Sequence, residues 1–229
     1  MNFYSFSKPG QRHRDQNQES QDQIFGIRGS DRISVCVSDG ASFTPYGREA
    51  AQKVATLAAR LFYDRFWPLM LAKPDAVRRE LCAAILPELQ RYAKEKNIPP
   101  EWMAATLLVL AMDEQGRYLC VHLGDGAILE QPRDTPDRFR MLSAPSNGVL
   151  PHSTYLTMNA DLMAHLKFSR SLEAMPQKLL ILTDGADELL RTDSCQRTLP
   201  CRFSGPAIEQ YLDALHPQDD YSAVEISAY

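Results

Sequence analysis

The chain has 229 residues, 44% of them hydrophobic, and a formal net charge of −4 from 25 basic and 29 acidic residues. That size suits one fairly large domain spanning residues 1–229, with apolar content ample for a sizeable core. Apart from Arg12 to Arg14 and Arg78-Arg79 the basic residues are scattered, which argues against nucleic acid or anionic membrane as partners.

The opening Met1 to Gly10 shows no basic segment running into a long apolar stretch. No run anywhere reaches about 18 apolar residues, so a soluble, cytoplasmic protein is expected. After this polar opening a strand is expected near residues 23 to 28, then a Gly29-Ser-Asp31 turn with Asp31-Arg32 as the hairpin connection, then a strand ending at Asp39. From Gly47 to Phe66 the spacing of Ala50, Ala51, Val54, Leu57, Ala58, Leu61 and Phe62 predicts an amphipathic helix. A second helix is expected from Pro74-Asp75 toward Lys96, with Val77, Leu81, Ala84, Ile85, Leu89 and Tyr92 on one side and a kink or division at Pro87.

Ala104 to Met112 and Arg117 to Leu123 read as a hairpin around Asp113 to Gly116. Residues 131 to 160, rich in proline, read as irregular, and a stretch that long inside a domain is usually functional or mobile. A strand at 179 to 183, a short helix from Ala186, another near 206 to 215 and a terminal strand complete the chain. Strands and helix pairs come in separate runs, which predicts an α+β layered fold over an alternating parallel sheet. Trp67 and Trp102, near helix ends, read as packing residues. Five cysteines without a CxxC read as free thiols; Cys36 and Cys120 lie in apolar strands, Cys195 and Cys201 beside a short loop.

The chemistry is carried by aspartates. Four strand-like stretches run into or out of them: Ile33 to Asp39-Gly40, Tyr118 to Asp125-Gly126, Leu179 to Asp184-Gly185, and Asp219-Asp220 to Ile226. Residues two apart on a strand share a face, so Asp39 is in phase with Ile33, Val35 and Val37, Asp125 with Leu119, Val121 and Leu123, and Asp184 with Leu180 and Leu182. Three carboxylates thus continue core-facing rows. Desolvated carboxylates cost several kcal/mol each unless neutralised, and the cation expected among all-oxygen ligands is Mg²⁺ or Mn²⁺. His122 alternates with its core row and reads as a partly exposed strand residue. His13, His152, His165 and His216 share no spacing that suggests zinc and read as non-catalytic.

In order along the chain, Arg14-Asp-Gln-Asn17-Gln18-Glu19, Ser38-Asp39-Gly40, Ala105-Thr106, Gly124-Asp125-Gly126, Thr183-Asp184-Gly185 and Asp219-Asp220-Tyr-Ser222 resemble the motifs of the protein phosphatase 2C family, particularly its small bacterial members. The resemblance covers the entire chain and implies a four-layer α-β-β-α sandwich of two antiparallel sheets flanked by helix pairs. It implies hydrolysis of phosphoserine and phosphothreonine on proteins by a metal-bound bridging water, with two Mn²⁺ or Mg²⁺ ions and a more weakly held third. Carried over by position, Asp39 bridges two ions with the Gly40 carbonyl on one, Asp184 and Asp219 complete the other, and Asp125 with Glu188 forms the weaker site. Glu19 stands where the family usually has aspartate and would hold metal-bound water. Arg14, favoured over Arg12 by its motif position, would grip the phosphate.

Ala41 stands where many eukaryotic members carry a histidine proposed as general acid, which leaves a metal-bound water to protonate the leaving group. Met103 to Thr106, in place of the usual Gly-Thr-Thr, reads as packing beneath the site. The stretch Asn147 to Thr157 resembles one near the family's flap, either scaffold or substrate-adjacent. For the last motif, strand parity selects Asp220 as ligand and the resemblance selects Asp219, which is preferred. A phosphorylated protein substrate and a cognate serine/threonine kinase are the implied partners. Two alternatives stand beside this reading: a catalytically weak module that binds phosphoproteins, and a phosphatase for a small phosphorylated metabolite.

Overall fold

A computed structural model describes residues 1–146, 154–173, 176–190, 198–200 and 204–227. Cys195, Cys201 and all of residues 147–153, His152 among them, lie outside the described residues.

Two antiparallel sheets form the centre. The first contains β1 (Asn2–Lys8), β6 (Ala127–Gln131), β7 (Arg138–Ser143), β9 (Lys178–Leu182), β10 (Thr198–Pro200) and β11 (Tyr221–Ser227), in the order β1-β11-β9-β6-β7-β10. The second contains β2 (Gln23–Arg28), β3 (Arg32–Ser38), β4 (Leu107–Asp113), β5 (Tyr118–Leu123) and β8 (Lys167–Ser171), in the order β2-β3-β4-β5-β8. Alternation assigns each strand's two faces to two different cores. Val35, Val37, Leu108, Leu110 and Ile33 from one sheet meet Leu179, Ile181, Val224 and Ile226 from the other in a shared core.

The opposite face of the second sheet, through Cys36, Val109, Ala111, Leu119, Val121 and Leu123, packs on α2 (Gly47–Asp64), α3 (Phe66–Leu71) and α4 (Pro74–Lys96). The outer face of the first sheet, through Leu129, Leu180, Leu182, Tyr221 and Ala223, packs on α6 (Asp184–Leu190) and α7 (Pro206–Leu215). The chain is therefore the expected α-β-β-α sandwich. Two short helices complete it, α1 (Gln11–Asp15) and α5 (Leu162–His165).

The expected elements recur with local differences. The apolar stripe on α2 is mostly alanine, so the helix lies close on β3 and β4, with Phe62 filling its far end. Along α4 a row at every fourth residue, Val77, Leu81, Ile85, Leu89 and Ala93, is buried. Truncating one of its leucines to alanine would cost about 2–5 kcal/mol. Pro87 does not divide α4: its ring is exposed, and the carbonyl it leaves without a helical donor belongs to Ala83, also exposed and open to water. The polar opening is strand β1, and β7 lies within the stretch read as irregular. Both are short of alternating apolar residues because much of their length is only half-buried or exposed.

His122 corrects another expectation. It is fully buried, because the row alternating with Val121 and Leu123 faces the other sheet and not solvent. Its Nδ1 lies 2.8 Å from Ser143 Oγ on β7. Burial, followed by the nearby Lys167 charge, pushes the imidazole down to about 3, so it stays neutral. Cys36, Cys82 and Cys120 are free thiols. Trp102 stacks on Tyr46 and Trp67 packs against the helical core, as packing residues do. Among the described residues no helix is long and apolar enough to cross a membrane.

Candidate metal centre

Sheet register explains why the aspartates meet. Gln23 pairs with Ser38, so one step further Asp22 lies opposite Asp39. Ala127 pairs with Leu182, so two steps further Asp125 lies opposite Asp184. Ala223 also pairs with Leu182, which brings the residues entering β11, Asp219 and Asp220, against the start of α6. All five strand ends open at one edge of the sandwich.

The backbone there is tied down. Asp39 N–H donates to Thr106 Oγ1 at 2.8 Å, Thr106 N–H donates to the Asp39 carbonyl at 2.9 Å, and Ser38 Oγ donates to the Thr106 carbonyl at 2.6 Å. Thr106, read as packing, thus also positions Asp39. Gly40 permits the first turn of α2 to approach: a Cβ there would lie 2.2 Å from the carbonyl carbon of Gly47. Gly124 has φ +115°, a conformation side chains rarely adopt, and it turns the chain out of β5 just before Asp125.

Asp22, which sequence reasoning missed, is buried, and its Oδ2 accepts from Thr183 Oγ1 at 2.9 Å. Its other oxygen, Oδ1, is buried without a hydrogen-bond donor among the described residues. Burial is the main reason its carboxyl is pushed up to about 7, with the Asp220 charge adding and the Ser222 and Thr183 hydroxyls opposing. Asp39 is raised well above the usual carboxylate range by burial and then by Asp22, Asp184 and Asp125. Asp184 is raised to about 8, again by burial first and then by Asp125, Asp22 and Asp219. The cluster therefore comprises Asp22, Asp39, Asp125, Asp184 and Asp219. Asp125 also accepts a hydrogen bond from the Thr154 hydroxyl.

Asp220 plays a different part. Its Oδ1 accepts from Gly10 N–H at 2.8 Å and lies 2.7 Å from His13 Nδ1, while Oδ2 accepts from Gln21 N–H at 2.6 Å. Its lone pairs are committed to the protein. Asp219 accepts only from the neighbouring Asp220 N–H, at 2.9 Å, among the described residues.

Other expected site residues lie apart from this cluster. Glu19 is exposed and pairs with Arg48 at 2.7 Å, so the carboxylate facing Asp39 is Asp22. Arg14, on α1, is exposed and directed at the Tyr221 hydroxyl and Asp213. Glu188 is exposed on α6, one turn after Asp184. Among the described residues no three acidic, histidine or cysteine side chains are drawn together tightly enough to hold an ion as they stand. The donor chemistry nonetheless fits a hard divalent cation, since every available group is oxygen and Asp22 Oδ1 is a buried acceptor without a donor.

The raised carboxyls make the stability of the metal-free protein fall with rising pH. A carboxyl whose folded value lies above its unfolded value near 3.8 holds its proton in the fold and loses it on unfolding, so its stabilisation is complete below pH 4 and is lost as pH rises through about 7 to 8. In EDTA the melting temperature should be lower at pH 8 than at pH 5.5, and added Mg²⁺ or Mn²⁺ should raise it more at pH 8. Equal cation effects at the two pH values would contradict this electrostatic picture.

The family model described as Protein phosphatase 2C matches residues 9–223, and the chain belongs to that family. Among solved structures it is similar to a bacterial serine phosphatase, with TM-score 0.71 and 13% identity over 100% of this chain and 98% of that one. It is also similar to the serine/threonine phosphatase Stp1 from Staphylococcus aureus, with TM-score 0.63 and 14% identity over 99% and 94% of the two chains. RsbX, solved in complex with magnesium, superposes with TM-score 0.53 at 12% identity over 97% and 92%. No curated protein matches the chain significantly.

Proposed function

We propose that the protein is a cytoplasmic bacterial phosphatase that hydrolyses phosphoserine and phosphothreonine on proteins with Mn²⁺ or Mg²⁺, opposing a serine/threonine kinase. The observation that carries this reading is the convergence of five aspartates at one sheet edge of a protein phosphatase 2C fold, with the carboxyls of Asp22, Asp39 and Asp184 raised in proton affinity. Asp39, the Gly40 carbonyl, Asp184 and Asp219 would hold two ions, Asp22 would stand beside Asp39 in the place the sequence suggested for Glu19, and Asp125 with Glu188 would hold a third more weakly. Bound ions would polarise the phosphoryl oxygens and activate the attacking water.

The chain's own residues set the geometry around that chemistry. Thr106 fixes the Asp39 backbone, Thr183 orients Asp22, and Asp220 clamps the chain entering β11 to Gly10, His13 and Gln21. Arg14 would have to turn from Tyr221 and Asp213 to reach a phosphate, and Arg12, also exposed, is the alternative.

Hydrolysis of p-nitrophenyl phosphate and of a phosphothreonine peptide should require added Mn²⁺ or Mg²⁺ and stop with EDTA. Undiminished turnover in EDTA would sink the proposal. Metal-dependent binding of a phosphopeptide without turnover would instead identify a phosphoprotein-binding module.

A further inference from the structure

Resting on that phosphatase reading, we infer that His13 is the general acid that protonates the departing serine or threonine oxygen. The helix α1 carrying it is docked on the chain that enters β11. Gln11 N–H donates to the Pro217 carbonyl at 2.8 Å and Arg12 N–H to the Gln218 carbonyl at 3.2 Å. Gly10 lies so close to Asp219 that a Cβ on it would be 2.2 Å from the Asp219 carbonyl carbon. His13 is thereby held beside the acidic edge of the sandwich, with its side chain 17% exposed.

The ring is also oriented. Nδ1 lies 2.7 Å from Asp220 Oδ1, and Asp220 is itself only 3% exposed and fixed by two backbone N–H groups. A carboxylate on Nδ1 holds the proton on that nitrogen and turns Nε2 outward as the working atom, the arrangement by which an aspartate prepares an imidazole for proton transfer. Nε2 makes no hydrogen bond among the described residues. Absence of zinc-like spacing made His13 look inert in the sequence, but an acid needs one oriented imidazole, not a set of ligands.

The chemistry requires such a donor. A serine or threonine alkoxide is a poor leaving group at neutral pH. As the P–O ester bond breaks, its electron pair passes to the serine oxygen, which takes the Nε2 proton of the doubly protonated His13 ring and leaves the neutral ring with its remaining proton on Nδ1 against Asp220. The attacking water gives one proton to solvent, and the imidazole regains one from solvent, so water and phosphoester become alcohol and inorganic phosphate. A nitrophenolate leaves without protonation and has little use for the acid.

The test compares the two leaving groups. His13→Asn keeps an amide at the Nδ1 position to hold Asp220. With Mn²⁺ present it should lower kcat for a phosphothreonine peptide by about 10²-fold or more, the usual worth of a positioned acid, and kcat for p-nitrophenyl phosphate by far less. Equal losses on both substrates would make His13 a brace for α1 and overturn the inference, as would no loss on either. Should His13→Asn melt below the assay temperature, His13→Gln is read the same way. Metal-dependent turnover by the unmodified protein tests the phosphatase reading separately, so failure there is distinguishable from failure of the His13 role.

Discussion

Asp39→Asn is expected to lower metal-dependent hydrolysis by about 10²–10³-fold while making the metal-free protein more stable. The loss corresponds to ~3–4 kcal/mol of transition-state stabilisation, the size found when one key electrostatic group is removed from a preorganised site. The gain in stability has a separate origin. The Asp39 main chain is held by Thr106 whatever its side chain, and asparagine has the same shape. Neutralising it removes repulsion with Asp22, Asp184 and Asp125. Opposite movement of activity in Mn²⁺ and melting temperature in EDTA is the signature, since a site built of like charges trades stability for function. Activity within tenfold of the unmodified protein, or a lower melting temperature in EDTA, would show that Asp39 is structural.

The adjacent aspartates at the entry to β11 should separate in the same two assays. Asp219→Ala should abolish tight metal binding, measured by calorimetry, and leave the metal-free fold intact, because its carboxylate accepts only from its neighbour's N–H among the described residues. Asp220→Asn should do the reverse. Its amide nitrogen would face a backbone N–H or His13 in place of an acceptor, and each buried donor left without a partner costs about 1–3 kcal/mol. A metal affinity lost in Asp220→Asn and kept in Asp219→Ala would invert the assignment.

The layered fold was legible because the α2 and α4 stripes and the apolar strands are unambiguous, whereas β1 and β7 are too exposed to show alternation. The site was read by two routes of unequal worth. Pleat parity held for Asp39, whose row of Ile33, Val35 and Val37 faces the shared core. The rows leading to Asp125 and Asp184 instead face the outer helices, and these residues meet Asp39 only because Gly124 turns the chain and α6 begins at Asp184. Motif spacing chose Glu19 and passed over Asp22. The hairpin register held the better signal: with strands at 23–28 and 33–38 joined by a tight turn, residue 22 falls opposite residue 39.

The pairing of β1 with β11, from Asn2 opposite Ser227 to Lys8 opposite Tyr221, joins segments more than 200 positions apart. Contacts of that separation close a large loop and form late in folding. The clamp of Gly10, His13 and Gln21 on Asp220 depends on the same closure. A chain emerging from the ribosome therefore has its first sheet open and its acidic edge unassembled until β11 is released. Until β11 pairs with β9, Asp219 is not brought to the start of α6, and the candidate metal centre is incomplete.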